Sequence, residues 1–210
     1  MNLKRLESIL DDLEGFSDPN IRYEQYVTPS YVAARMLHTI SLSNHIEGKM
    51  IVDLGTGPGI LAIGSALLGA HYVVGVDIDS SVFQIALSNL ADLDELFVGQ
   101  PPIDFVESDV TKCVLKPKSF DVAIFNPPFG TKGNSGIDVS FIKAALDLTK
   151  VAVYSLHKSS TRSFIVKKGE QLGAKVEVLG QFSYDLPATY ARHSKAVKAI
   201  DVDLLRFSHR

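Results

Sequence analysis

The sequence is poor in cysteine, in surplus positive charge and in unbroken apolar length, and each shortage removes a class of protein. Cys113 is the single cysteine among 210 residues, so the chain can form no internal disulfide and no metal site built from cysteines alone. With 21 Lys and Arg against 24 Asp and Glu the formal net charge is −3, which argues against a generic nucleic-acid coat. A basic face, or charge lent by a partner, stays compatible with that total. The most apolar stretch, Ile60 to Val76, is interrupted by Gly64, Ser65, Gly69 and His71 and divides into a buried helix and a strand, not a membrane span. Met1 to Phe16 sets Leu3, Leu6, Ile9, Leu10 and Leu13 among charges at helical spacing, the pattern of an amphipathic helix and not of a signal peptide. No repeat or low-complexity tract interrupts the chain. Its 46% hydrophobic and 21% charged residues are ordinary globular values, and the length suits one well-buried domain better than two.

What is present is an alternation of strands and helices. Gly15 to Asn20 reads as a loop, and Thr28-Pro29 opens a helix through Ile40, with Thr28 placed to cap it and Pro29 in its first turn. From Lys49 the strand candidates are Met50–Leu54, Tyr72–Asp77, Ile103–Val106, Phe120–Phe125 and Val151–Ser155. Helical patterns over Ile60–Leu68, Ser80–Leu90, Ser140–Leu148 and Thr161–Leu172 separate or follow them. This predicts an α/β fold with a doubly wound, mostly parallel sheet. Lys175–Tyr184 and Val197–Phe207 have no helix between them and are expected to form an antiparallel return at the sheet edge. Residues 1–48 form an N-terminal helical extension contributing to the ligand site, and 49–210 the core.

The loop Asp53-Leu54-Gly55-Thr56-Gly57-Pro58-Gly59 follows the first apolar run and opens a helical pattern at Ile60. Gly55, Gly57 and Gly59 permit a tight turn and close backbone approach to a ligand at a helix start. Asp77 lies 22 positions after Gly55 at the end of the next strand, where a carboxylate can accept both hydroxyls of a ribose. A nicotinamide dinucleotide shares those features. Its pyrophosphate fits poorly, because Pro58 removes a backbone donor and the third glycine is off the GxGxxG spacing. S-adenosylmethionine has the ribose and the adenine without the phosphates, and the acidic Asp53 suits its zwitterionic, sulfonium-bearing half. Asp109 follows the third strand where the adenine amine of such a cofactor would lie, although a helix-cap or turn aspartate explains it better when taken alone.

Asn126-Pro127-Pro128-Phe129 ends the fourth strand. The residue before a proline is pushed to extended geometry, and each proline fixes φ and lacks an N–H, so the turn is a stiff frame presenting carbonyl oxygens. The Asn126 amide oxygen and the Pro127 carbonyl can accept both hydrogens of one planar amino group, and Phe129 can stack on the attached ring. His157-Lys158-Ser159-Ser160-Thr161 reads either as a loop with His157 and Lys158 on RNA phosphate or as a helix-capping turn at Ser159 or Ser160. Arg162, Lys167, Lys168, Arg192, His193, Lys195 and Lys198 are candidates for an RNA-contacting face. A turn between strands explains Tyr184-Asp185-Leu186-Pro187 at least as well as a substrate contact.

In order, DLGTGPG, GVDID, ESDV and NPPF resemble the class I S-adenosylmethionine-dependent methyltransferases of amino groups. Five further stretches extend the likeness: Tyr23–Tyr26 with Thr28-Pro29, Ala33–Leu37, Asn126–Lys132, Val153–Thr161 and Tyr184–Ala188. Together these resemble the methyltransferase-like protein five family from about Leu6 to Phe207. The resemblance implies a seven-stranded Rossmann-like sheet with an antiparallel C-terminal strand, and transfer from S-adenosyl-L-methionine to the exocyclic amine of an adenosine in small-subunit (18S) rRNA, without a metal. It implies that Gln25, Thr28, Gly55, Pro58, Ile60, Asp77, Asp109 and Val110 contact the cofactor and that Asn126, Pro127, Pro128 and Phe129 hold the base. It also implies a small zinc-binding methyltransferase activator protein as partner and a nuclear, nucleolar and cytoplasmic location. Strand 103–106, expected at the sheet edge, is the candidate surface for that partner. The same amine trap could serve a protein glutamine or a DNA adenine, or persist in a non-catalytic ribosome-assembly factor.

Overall fold

The computed structural model describes residues 1–112, 114–129, 136–186 and 198–209. Cys113, residues 130–132 and the basic segment 192–197 lie outside the described residues. The elements run α1 (Leu3–Asp11), α2 (Ser30–Leu42), β1 (Met50–Leu54), α3 (Ile60–Leu67), β2 (Tyr72–Asp77), α4 (Val82–Ala91) and β3 (Ile103–Glu107). They continue with β4 (Phe120–Phe125), α5 (Ile137–Leu148), β5 (Thr149–Lys158), α6 (Arg162–Gln171), β6 (Ala174–Leu186) and β7 (Lys198–His209).

The seven strands form one sheet in the order β3-β2-β1-β4-β5-β7-β6, with β1 to β5 parallel and β7 antiparallel to both neighbours. The α/β, mostly parallel architecture is as the alternating pattern predicts. The final pair does lie at an edge, but the last strand sits inside it: β7 inserts between β5 and β6, leaving β6 outermost.

Side chains alternate across the sheet, as the period of a strand requires. Ile51, Val122, Ile124, Ala152 and Tyr154 face a core covered by α1, α2 and α3. Val52, Ala123, Phe125, Val153 and Phe207 face the second core under α5 and α6. Leu6 and Leu10 of α1 are buried in the first core, so the helical extension packs directly on the sheet side that carries α3.

Several local expectations change. Helix α1 starts at an Asn2 cap and stops at Asp11, so Phe16 lies beyond it, free to turn toward the ligand site. Helix α2 begins at Ser30 after Pro29 with no side-chain cap; Thr28 spends its hydroxyl on Asn126 instead. Strand β5 runs on through Lys158 because β7 pairs with it as far as Lys158 and Val202. His157 is thereby 1% exposed, donating or accepting with Ser155 Oγ at 2.8 Å, and burial pushes its imidazole down to about 3. It is a neutral core group that cannot reach an RNA phosphate. Ser159 and Ser160 do not cap α6; the Ser159 hydroxyl donates to Asp203, which also takes a two-pronged pair of hydrogen bonds from Arg162 at 2.6 and 2.7 Å. Arg162 is thereby tied to β7.

Candidate functional site

In a parallel sheet the loops after the strands collect at one end. Two adjoining cavities open there, of about 390 and 300 Å³, sharing Phe16, Tyr26, Gly55 and Asn126 in their walls. The larger is lined by Thr28, Asp53, Gly57, Pro58 and Ile60 among others. The smaller is lined by Gln25, Asp77, Asp109, Val110 and Pro128, with Ile78 and Phe141 as apolar walls. Gly59, Pro127 and Phe129 line neither: Gly59 caps α3, and Pro127 and Phe129 lie just beyond Asn126.

The glycine loop needs its glycines for room as well as for backbone angle. Gly57 has φ +51, and a Cβ there would sit 2.8 Å from the Phe16 ring. At Gly55, φ is +72 and a Cβ would meet the Phe141 ring at 3.3 Å. Asp77, mostly buried, accepts from the Gly57 N–H at 2.9 Å and the Asp79 N–H at 3.0 Å, so it braces the glycine loop. Burial pushes its carboxyl above the usual range, with those backbone donors opposing.

Asp53 is 1% exposed. Its Oδ2 accepts from the Thr56 hydroxyl at 2.8 Å and the Ala62 N–H at 3.1 Å, whereas Oδ1 has no hydrogen-bond partner among the described residues. Burial pushes this carboxyl up to about 7. A buried acceptor left unmade is costly, so the site is suited to a cationic or donor group arriving from the larger cavity. Asp109 has Oδ1 occupied by the Thr111 N–H and hydroxyl, which hold its carboxyl below the usual range. It forms an ordinary Asx turn while also lining the smaller cavity. Gln25 donates to Asp79 at 2.8 Å and accepts from the Asn20 N–H at 2.7 Å, tying the N-terminal segment to the turn after β2.

At the junction of the cavities, Asn126 Nδ2 donates to Thr28 Oγ1 at 2.9 Å and its Oδ1 is buried without a partner among the described residues. The Pro127 carbonyl accepts from the Tyr26 hydroxyl at 2.7 Å, which leaves its second lone pair. Phe129 stacks with Tyr26 at 5.1 Å between centroids and 28° between planes, and Lys158 Nζ stands 5.3 Å from its centroid. An incoming ring must share the Phe129 surface with these neighbours.

Several site residues carry no local sequence signal. Asn89, 1% exposed, accepts from the Glu14 N–H and donates to the carbonyls of Glu14 and Pro58, clamping the N-terminal extension to the glycine loop. The Pro58 carbonyl is thus engaged although its nitrogen donates nothing. The one hint was a polar residue on the apolar face of α4, beside Val82, Ala86 and Leu90. Phe16, Tyr26 and Phe141 came to the cavities only through folding.

A family model described as ribosomal protein L11 methyltransferase (PrmA) matches residues 35–122. The chain is 44% identical to the rRNA N(6)-adenosine-methyltransferase METTL5 of Danio rerio, over 99% of each protein. It is 42% identical to the rRNA N(6)-adenosine-methyltransferase Mettl5 of Drosophila melanogaster, over 99% of this chain and 96% of that one. Among solved structures, a putative RNA methyltransferase from Pyrococcus horikoshii aligns with a TM-score of 0.84 at 31% identity, covering 100% of this chain and 97% of its own.

Proposed function

This chain belongs to the rRNA N(6)-adenosine-methyltransferase family, and from that premise we propose that its target is an adenosine of small-subunit (18S) rRNA. The enzyme transfers a methyl group from S-adenosylmethionine to the exocyclic amine of an rRNA adenosine. The observation that carries the site assignment is the buried Asn126 Oδ1, without a partner among the described residues, beside the Pro127 carbonyl at the junction of the two cavities.

The residues present fit the cofactor. Asp53 offers a free buried oxygen for its ammonium, Asp77 a carboxylate for its ribose hydroxyls, and Gly55 and Gly57 a backbone that lets it approach closely. When bound, it supplies a methyl group made electrophilic by the sulfonium. The adenine amine is a poor nucleophile because its lone pair is delocalised into the ring. Asn126 Oδ1 and the Pro127 carbonyl draw on its two hydrogens as attack begins, localising that pair where charge develops. Holding amine and methyl in line supplies the rest of the rate, as positioning does in general. The target base must leave its stack, or come from an unpaired segment, to enter the pocket.

Two further parts belong to the same proposal. One is a small zinc-binding activator protein added along the free edge of β3, next to the exposed Leu96 and Val98 on the chain leading into that strand. The other is a nuclear, nucleolar and cytoplasmic location. Radiolabelled methyl transfer onto rRNA, total tRNA, DNA and protein substrates side by side tests the reading. Label should enter rRNA at adenine N6 and map to the small subunit. Asn126→Ala should lose roughly 100- to 1000-fold in single-turnover rate while keeping affinity for S-adenosylhomocysteine. Label in another substrate, or full transfer by Asn126→Ala, would overturn it.

A further inference from the structure

We infer that the segment Tyr26–Thr28 is a splint for the base site, in which Tyr26 and Thr28 are positioning residues that aim the Pro127 carbonyl, the Phe129 ring and the Asn126 amide. The inference rests on the reading of Asn126 to Phe129 as the holder of the target amine. Three contacts carry it. The Tyr26 hydroxyl donates to the Pro127 carbonyl at 2.7 Å, the Tyr26 ring stacks on Phe129 at 5.1 Å, and Thr28 Oγ1 accepts from Asn126 Nδ2 at 2.9 Å.

Each contact fixes a different degree of freedom. Thr28 holds the amide nitrogen of Asn126, and in this arrangement Oδ1 is the acceptor left toward the cavities, buried with no partner among the described residues. By taking one lone pair of the Pro127 carbonyl, Tyr26 sets its direction and leaves the other pair for an amine hydrogen. Its ring at the same time sets the tilt of Phe129. Thr28 precedes Pro29, which biases it to extended geometry, and side chains two residues apart on extended chain share a face. One short stretch can therefore reach both halves of the trap. The stretch belongs to no helix or strand, and Tyr26 and Thr28 border the larger cavity while Tyr26 also borders the smaller. The N-terminal extension thus completes the base site in addition to covering the cofactor site.

The near-isosteric variants Thr28→Val and Tyr26→Phe test this, with Thr28→Ser as the conservative rescue. Thermal melting of each protein confirms the fold, calorimetry measures S-adenosylhomocysteine affinity, and single-turnover transfer to rRNA is followed at saturating RNA. Thr28→Val should lower the single-turnover rate roughly 10- to 100-fold, because a misaimed acceptor forfeits alignment. Tyr26→Phe, which keeps the stacked ring, should lose about 3- to 10-fold, the size of one hydrogen bond. Tyr26→Phe should bind S-adenosylhomocysteine within about twofold of the parent. Thr28→Val, at a position that lines the cofactor cavity, should fall much further in rate than in affinity, and Thr28→Ser should restore most of the rate. Full rates in Thr28→Val and Tyr26→Phe, alongside an active parent and a dead Asn126→Ala, would overturn the splint alone. A fall in rate matched by an equal fall in cofactor affinity would overturn it too, by assigning both residues to the cofactor. A parent protein that moves no methyl to rRNA adenine would instead remove the amine-site reading beneath it.

Discussion

The unpaired oxygen of Asp53 makes cofactor binding a proton-releasing reaction below neutral pH. Burial is the main cause that lifts this carboxyl from 3.8 to about 7, against the opposing hydrogen bonds from Thr56 and Ala62. A carboxyl whose folded value lies above its unfolded one binds more protons folded than unfolded. The ligand-free fold therefore loses stability as pH rises between about 4 and 7, by on the order of 4 kcal/mol in all. A cation brought to Oδ1 reverses the preference, favouring the carboxylate and expelling its proton. Starting from a value near 7, about 0.9 of a proton is held at pH 6 and about half at pH 7, and binding releases that amount. Affinity for S-adenosylhomocysteine should rise roughly fivefold from pH 6 to 7 and less than about twofold from pH 7 to 8. Calorimetric titrations at pH 6, 7 and 8, in buffers of different ionisation enthalpy, read both the affinity and the proton count. Asp53→Asn should bind without the pH slope or the release. Negligible release by the parent at pH 6, or equal release by Asp53→Asn, would refute the reasoning.

Asp77→Ala should weaken S-adenosylhomocysteine by about 1–3 kcal/mol through lost bonds to the ribose, together with the loosened Gly57 N–H; unchanged affinity by calorimetry would return Asp77 to a loop brace. Asn89→Ala removes three hydrogen bonds and leaves the buried Pro58 carbonyl and the half-buried backbone groups of Glu14 without them, so urea denaturation should show a loss of about 2–4 kcal/mol. A near-parental midpoint would mean that the extension docks without that clamp. For the activator partner, Phe105 is a poor probe because its ring packs over Gly75 and stacks on Phe83. The exposed Glu107, whose N–H points to the free edge, is better: Glu107→Pro should keep the fold and weaken complex formation in size exclusion, and undiminished binding would place the interface elsewhere.

The strands of the parallel sheet, and the half of the site that hangs from their ends, are legible in the sequence. Apolar runs of strand length ending in Asp53, Asp77 and Asn126 place those side chains at one end of the sheet, because parallel strands share a carboxyl end. The glycines of the loop are legible for the same local reason. Tertiary structure decided the rest. Thr28 reads as a helix cap until Asn126, 98 residues away, takes its hydroxyl, and Tyr26 acquires a role only against Pro127, 101 residues away. His157 reads as a loop residue until pairing with β7 extends β5 and buries it. Asn89 is an unexplained polar residue until Glu14 and Pro58 meet it. Local propensity and period describe what a segment does with its neighbours in the chain. Which hydroxyl faces which amide across the cavity follows from how the N-terminal extension lies on the folded sheet.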